Sequence, residues 1–406
     1  LLMVNRLRDV EELFKDMETR GVATSLYNAK YDKKPMLYDT TLRDGEQTPG
    51  VSFNVENKVE IALLLEECGV KEIEAGFPAI SEDEEEAVRA VSKAVSGSKV
   101  LCLCRALKSD VDLALKCEVD GVIIFAPSSD VHLKWKLKMS AEEVLDCVLE
   151  VIEYAKSHGI FVQFTCEDAT RTPLERLLKF YSSAIEHGAD RVGVADTVGC
   201  ITPSGMKFLI SELLKSLSKP IAVHCHNDFG LATANTLAAY EAGATALSVS
   251  VNGLGERCGN APLEEVALAL YCLYGVNPDI DFKKLSKLSQ RVAELSKLRP
   301  WPLKPVVGSH AFTHESGIHV AAVLENPFTY EAYSPSIVGR ERVIKFGKHS
   351  GIKAITYALR AIGLNVSAEV AREVLERVKA LEGVKGPLDL EDVREVALKV
   401  LEGKRR

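Results

Sequence analysis

No apolar run in the 406 residues approaches the ~18–20 positions that a membrane helix needs. The opening stretch, LLMVNRLRDVEEL, becomes charged too early for a secretory signal. Basic residues are not in excess: 50 Lys+Arg against 58 Asp+Glu leave a net charge of −8, which gives no support to binding nucleic acid. Ten cysteines are present, yet none forms a C-x-x-C pair. The close pair Cys102 and Cys104 has the spacing of neighbours on one face of a strand, so reduced, partly buried thiols are expected. Low-complexity tracts are missing too, and 47% apolar residues supply a large core, which excludes disorder. A cytoplasmic protein with neither membrane nor nucleic acid as partner is the expectation.

What is present is a rhythm. Short apolar runs stand at 36–39, 72–76, 99–104, 121–126, 160–166, 191–196, 221–225 and 246–251. Most are continuously apolar, as strands covered on both faces are. Amphipathic stretches separate them, with Ser81 and Glu84, and Ser140 and Glu143, spaced as capping boxes. Eight strand–helix units in this span predict an α/β fold, a (β/α)8 TIM barrel over 36–276. A doubly wound open sheet is the alternative, but no G-x-G-x-x-G follows the first run to support it. A helical extension is expected over 1–35, a linker and lid subdomain over 277–345, and a helical subdomain over 346–406 with helices near 367–382 and 388–402.

In such barrels reactive groups gather at the strand C-termini. Arg43, Asp44 and Gln47 follow the first run, Arg105 the third, His132 the fourth and Glu167 the fifth. Thr197 follows the sixth run, and His224 and His226 end the seventh. Residues i and i+2 of a strand share a face, so two imidazoles can lean onto one cation. Packing histidines also produce H-x-H; position at a barrel strand end, opposite a carboxylate from the first strand, favours the metal. One Asp and two His leave coordination positions open, which suits Mg²⁺, Mn²⁺, Co²⁺ or Zn²⁺ and suggests a chelating 2-oxo acid whose ketone the metal polarises. Arg43 can hydrogen-bond the resulting alkoxide or form a structural salt bridge.

Together the motifs D-T-T-L-R-D-G-E-Q (39–47), E-A-G-F-P (74–78), C-E-D-A-T-R-T (166–172), A-D-T-V-G (195–199), H-C-H-N-D-F-G (224–230), N-G-L-G-E-R-C-G-N (252–260), H-E-S-G-I-H (314–319) and G-K-H-S-G (347–351) resemble the acyl-CoA-condensing branch of the DRE-TIM metallolyases. That branch holds homocitrate, 2-isopropylmalate and citramalate synthases. The resemblance implies a divalent metal on Asp44, His224 and His226, with Asn260 counted beside them, and Arg43 as oxyanion donor. It implies Gln47, Thr197 and Glu167 around the 2-oxo acid and acetyl-CoA, and His319 and Tyr330, with Glu167, in proton transfer. It further implies a homodimer in which His319 and Tyr330 reach the partner's barrel.

For the 2-oxo acid the resemblance divides. Many homocitrate synthases place His on the third strand and Arg on the fifth to meet a distal carboxylate; here Leu103 and Gln163 stand there. Leu103, His132 and Thr165 resemble a pocket for an apolar acid such as 3-methyl-2-oxobutanoate. The layout, including Y-N-x-K-Y-D before the first strand, resembles archaeal homocitrate synthases, and a leucine-binding C-terminal domain is expected to be absent. There Arg105, Lys134 or Lys136 would meet the distal carboxylate. Homocitrate synthase is the expectation, with 2-isopropylmalate or citramalate synthase as alternatives. A lyase of the 3-hydroxy-3-methylglutaryl-CoA type would not need H-E-S-G-I-H, and a non-catalytic scaffold would not need Arg43, Glu167 and His319 together.

Overall fold

The computed structural model describes residues 9–405. Eight parallel strands close into a barrel: β1 (Met36–Asp39), β2 (Glu72–Glu74), β3 (Lys99–Arg105), β4 (Gly121–Pro127), β5 (Phe161–Glu167), β6 (Arg191–Asp196), β7 (Ile221–Cys225) and β8 (Ala246–Val249). All eight apolar runs are strands, with ends displaced by a residue or two. Pairing of β1 with both β2 and β8, as in Leu37 against Leu247, closes the ring and excludes the open sheet.

Alternation along each strand explains why the runs are apolar throughout. Leu101 and Leu103 join Tyr38, Ile123 and Ala222 in a cluster inside the barrel, while their neighbours Cys102 and Cys104 face the helices, Cys104 Sγ reaching Asp110 O. Each fully buried aliphatic side chain contributes about 1.5–3 kcal/mol, so a one-residue slip would lose both layers at once. All ten cysteines are free, seven of them buried.

Helix starts follow local chemistry. Ser140 and Glu143 form the expected reciprocal capping box on Ala141–Ser157. Ser81 caps Glu82–Ala94 by accepting from Glu84 N, and the acidic first turn there suits the helix dipole.

The barrel lies within a compact unit of residues 28–300, which also holds the helix Phe282–Ser296. A second unit comprises 9–27 with 301–405. Its first helix is Val10–Arg20; residues 1–8 of the expected N-terminal extension lie outside the described residues. Helices Ile352–Ala361, Ala368–Lys385 and Leu390–Arg405 enclose a core that includes Phe346, Ile355, Leu359 and Val374. In this unit the H-E-S-G-I-H and G-K-H-S-G segments meet backbone to backbone, Gly317 N donating to His349 O at 2.8 Å. No helix among the described residues is long and apolar enough to cross a membrane.

Candidate active site and metal centre

A cavity of about 340 Å³ opens at the C-terminal ends of the barrel strands. Asp44, in the turn after β1, faces His224 on β7 and His226 just beyond it. His224 Nε2 is 3.2 Å and His226 Nε2 3.7 Å from Asp44 Oδ2, and the two imidazole nitrogens are 3.2 Å apart. Cys225 between them is buried, and burial pushes its thiol up to about 12.

The electrostatics suit a cation. Burial opposes ionisation of Asp44, but Arg43 and the two imidazoles outweigh it and hold the carboxyl well below its ordinary range. Burial, with His224 alongside, lowers the His226 imidazole to about 3, so it is neutral and its lone pair is free. His224 Nδ1 is 2.9 Å from Ser248 Oγ, a contact that orients the ring and frees Nε2. Asn260 Nδ2 donates to Asp44 Oδ2 at 2.7 Å and to Leu254 O at 3.1 Å, which leaves its Oδ1 buried with no hydrogen-bond partner among the described residues. This donor set of one carboxylate and two imidazoles, with the Asn260 amide beside it, fits a divalent cation of the Mg²⁺, Mn²⁺, Co²⁺ or Zn²⁺ type. Gly255 makes the approach of Asn260 possible, since a Cβ there would stand 2.4 Å from Asn260 Nδ2.

Arg43 lines the cavity beside Asp44, Nη1 to Oδ1 3.5 Å. Glu74 at the end of β2 clamps it from behind. Burial alone would lower the guanidinium's pKa, yet Glu74 and Asp44 raise it, so the charge is permanent. Arg43 is thus in a salt bridge and still lines the cavity.

Gln47, Glu167 and Thr197 from the strand ends line the cavity, and so do Leu103, Gln163 and Thr165, which the resemblance alone had singled out. Two of the residues predicted to bind substrate do not. Arg105 is half-exposed and turned to Asp110, with Nε–Oδ2 and Nη2–Oδ1 both 2.9 Å, because Asp110 opens the next helix within reach of the strand end. His132 stands outside the lining, its Nδ1 3.6 Å from Glu167 Oε1. Of the two lysines considered for a distal carboxylate, Lys136 lines the cavity but is bonded to both Glu167 oxygens, at 2.7 and 2.8 Å, while Lys134 lies over Trp135. His319 and Tyr330 belong to the second unit, their rings stacked with centroids 4.0 Å apart.

Residues the sequence reading left without a role are Glu74, Tyr38, Phe77, Phe125, Glu256 and Arg257, all in the lining. Glu74 carried a signal, as an acid within the 72–76 run. Phe125 and Tyr38 carried none, since an aromatic inside a strand looks like core, whereas Phe77 lies just past the second run. Arg257 closes the rim by gripping Asp228 (Nε–Oδ1 2.7 Å) and donating to Thr197 O at 2.8 Å.

Residues 34–292 match the HMGL-like family, and residues 306–386 match the homocitrate synthase post-HMGL domain-like family. The chain is 52% identical to homocitrate synthase AksA of Methanopyrus kandleri, over 91% of this chain and 93% of that protein. It is 47% identical to a probable 2-isopropylmalate synthase of Ignicoccus hospitalis, over 92% and 94% of the two chains. Among solved structures it resembles the HMG-CoA lyase of Bacillus subtilis with a TM-score of 0.62 at 22% identity, over 67% of this chain and 97% of that one, a likeness of fold.

Proposed function

The chain belongs to the HMGL-like family, among its acyl-CoA-condensing synthases, and we propose that it joins acetyl-CoA to 2-oxoglutarate and that water then cleaves the thioester, releasing CoA and giving homocitrate. The observation that carries the reaction type is the convergence of Asp44, His224 and His226 with Arg43 on one cavity. The likeness to a homocitrate synthase over nearly the whole of both chains supports the substrate.

A divalent cation held by Asp44, His224 and His226, with Asn260 beside them, would supply Lewis-acid polarisation of the substrate ketone. Arg43 is held rigidly by Glu74 and directs N–H donors at the oxygen that gains charge when the acetyl enolate attacks. Glu167 stands between Lys136 and His132 in the cavity wall, placed to accept a methyl proton. Thr197 and Gln47 orient the acid, and the loop after β8 offers backbone groups to the thioester end. We assign the remaining proton transfers to the stacked His319 and Tyr330, contributed by the second subunit of a cytoplasmic homodimer.

One observation favours a second reading. Leu103, Ile123 and Phe125 face the cavity, and its cationic side chains are already paired with acids, which suits the apolar acid of a 2-isopropylmalate synthase. CoA release by the purified chain with Mg²⁺ or Mn²⁺, acetyl-CoA and a panel of 2-oxo acids decides between them. Turnover with 2-oxoglutarate is expected; turnover with 3-methyl-2-oxobutanoate alone would reverse the choice. A His319→Ala variant should lose turnover and keep 2-oxo acid binding, and unchanged turnover would remove His319 from the mechanism.

A further inference from the structure

Beneath the cavity the hydrogen bonds run in one direction. Arg191, at the start of β6, is buried with its guanidinium between the rings of Tyr38 and Phe161, 5.3 and 5.0 Å from their centroids. Its Nη2 meets Glu72 Oε2 at 2.6 Å, and its Nε donates to Gln163 Oε1 at 2.5 Å. Arginine has donors only, so Gln163 must turn its carbonyl oxygen to Arg191 and its amide nitrogen the other way. That nitrogen donates to Thr165 Oγ1 at 2.9 Å. The Thr165 oxygen is thereby occupied from behind, and its own hydrogen is left for the cavity that Thr165 lines. Glu72 balances the guanidinium, so bond direction and not net charge is what reaches the cavity.

Two further observations fit a ligand at this hydroxyl. Gly193 pairs with Thr165 in the β5–β6 ladder, and a Cβ there would stand 2.3 Å from Thr165 Oγ1 and 3.0 Å from Gln163 Nε2. The glycine therefore admits the Gln163–Thr165 pair. Gly193 in turn pairs with Ala222, two residues before His224, which places the hydroxyl about 7 Å further down the strands than that imidazole. A 2-oxo acid with its ketone near His224 and its chain pointing down the barrel would bring its far end to this hydroxyl.

We propose that Arg191 is a positioning residue for substrate selection: acting through Gln163, it makes Thr165 a hydrogen-bond donor to the far end of the 2-oxo acid. The cavity then takes an acid whose chain ends in a carboxylate over a branched apolar one. The inference rests on the condensation reading and sharpens its substrate class.

The test is CoA release by the 406-residue chain with Mn²⁺ and acetyl-CoA, with 2-oxoglutarate and 3-methyl-2-oxobutanoate compared as a ratio of kcat/KM. Binding of each acid is read separately as a thermal shift. Thr165→Val should lower the ratio about 10- to 100-fold, the worth of one hydrogen bond to a charged group, and Thr165→Ser should restore it. Gln163→Glu, whose second oxygen would accept the Thr165 hydrogen, should lower it as well. Arg191→Lys keeps a donor toward Gln163 and should hold the ratio, whereas Arg191→Met with Glu72→Gln should lower it. A ratio unmoved by both Thr165→Val and Gln163→Glu overturns the proposal. So does a wild-type preference for the branched acid, which leaves the condensation reading standing. No CoA release with any 2-oxo acid overturns that reading, and this inference with it.

Discussion

Glu74 holds Arg43 by two hydrogen bonds, Nε to Oε1 at 2.8 Å and Nη2 to Oε2 at 3.2 Å, across 31 residues of sequence. The same carboxylate accepts from Thr40 Oγ1 at 2.7 Å, which ties the end of β2 to the turn that carries Arg43 and Asp44. A guanidinium gripped on one edge has its remaining N–H groups aimed, and aimed donors need not reorganise as charge develops.

Glu74→Gln should therefore lower kcat about 10- to 100-fold while the affinity for the 2-oxo acid changes little. Steady-state kinetics beside a direct binding measurement would show it. A kcat within twofold of wild type would mean that Arg43 needs no such support.

Dialysis against a chelator should abolish CoA release, and a divalent cation should restore it. At 100-fold above its Kd the ion adds about 2.7 kcal/mol to the folded state, a clear rise in Tm. Asp44→Asn removes the charged ligand and should erase that rise. A Tm equally sensitive to the ion in the variant would place the cation elsewhere.

Asp39 supplies a pH signature. It is buried, its Oδ1 accepts from Thr41 N at 2.8 Å and its Oδ2 has no partner among the described residues. Burial pushes its carboxyl up to about 7, with Thr41 opposing. The folded chain thus holds this proton more tightly than the unfolded one. The stabilisation is complete below about pH 4 and is lost as pH rises through about 7, where the core must carry the charge. Asp39→Asn cannot titrate, so its Tm relative to wild type should climb between pH 4 and 7 and level off above. A constant difference from pH 4 to 8 would contradict the assignment.

Lys58 is fully buried, its Nζ bonded to Leu42 O at 3.0 Å, to both oxygens of Glu84 and to Glu46 Oε2 at 2.6 Å. Lys58→Met strands two acids and should cost about 3–5 kcal/mol, seen as a fall in the denaturation midpoint. Leu42 precedes Arg43, so kcat should fall too, at temperatures where the variant is still folded. Unaltered stability would show that the acids find other partners.

Much of this barrel was readable before folding because a strand buried on both faces is apolar at most positions. The run 36–39 matches β1 residue for residue, and 191–196 matches β6. The H-x-H pair was readable for a related reason, since spacing of two along a strand places both rings on one side. Arg105 was misleading. The position past β3 suggested a substrate contact, but Asp110 lies only five residues on and takes the guanidinium first. Asn260, 216 residues from Asp44, could be named only from the motif around it.

Local pattern was enough for the order of strands and helices, the caps and the side of the barrel where chemistry collects, because each depends on neighbours within a few residues. Partnership was not. That Glu74 grips Arg43, that Lys136 closes on Glu167 and that Arg191 reverses the Gln163 amide depend on which strands closure brings side by side. Burial then selects among the possible pairs, since a charged or polar group removed from water must find its partner within hydrogen-bond reach. Short-range periodicity carries no record of that choice. It is made only when the ring closes and the remaining donors and acceptors are counted against one another.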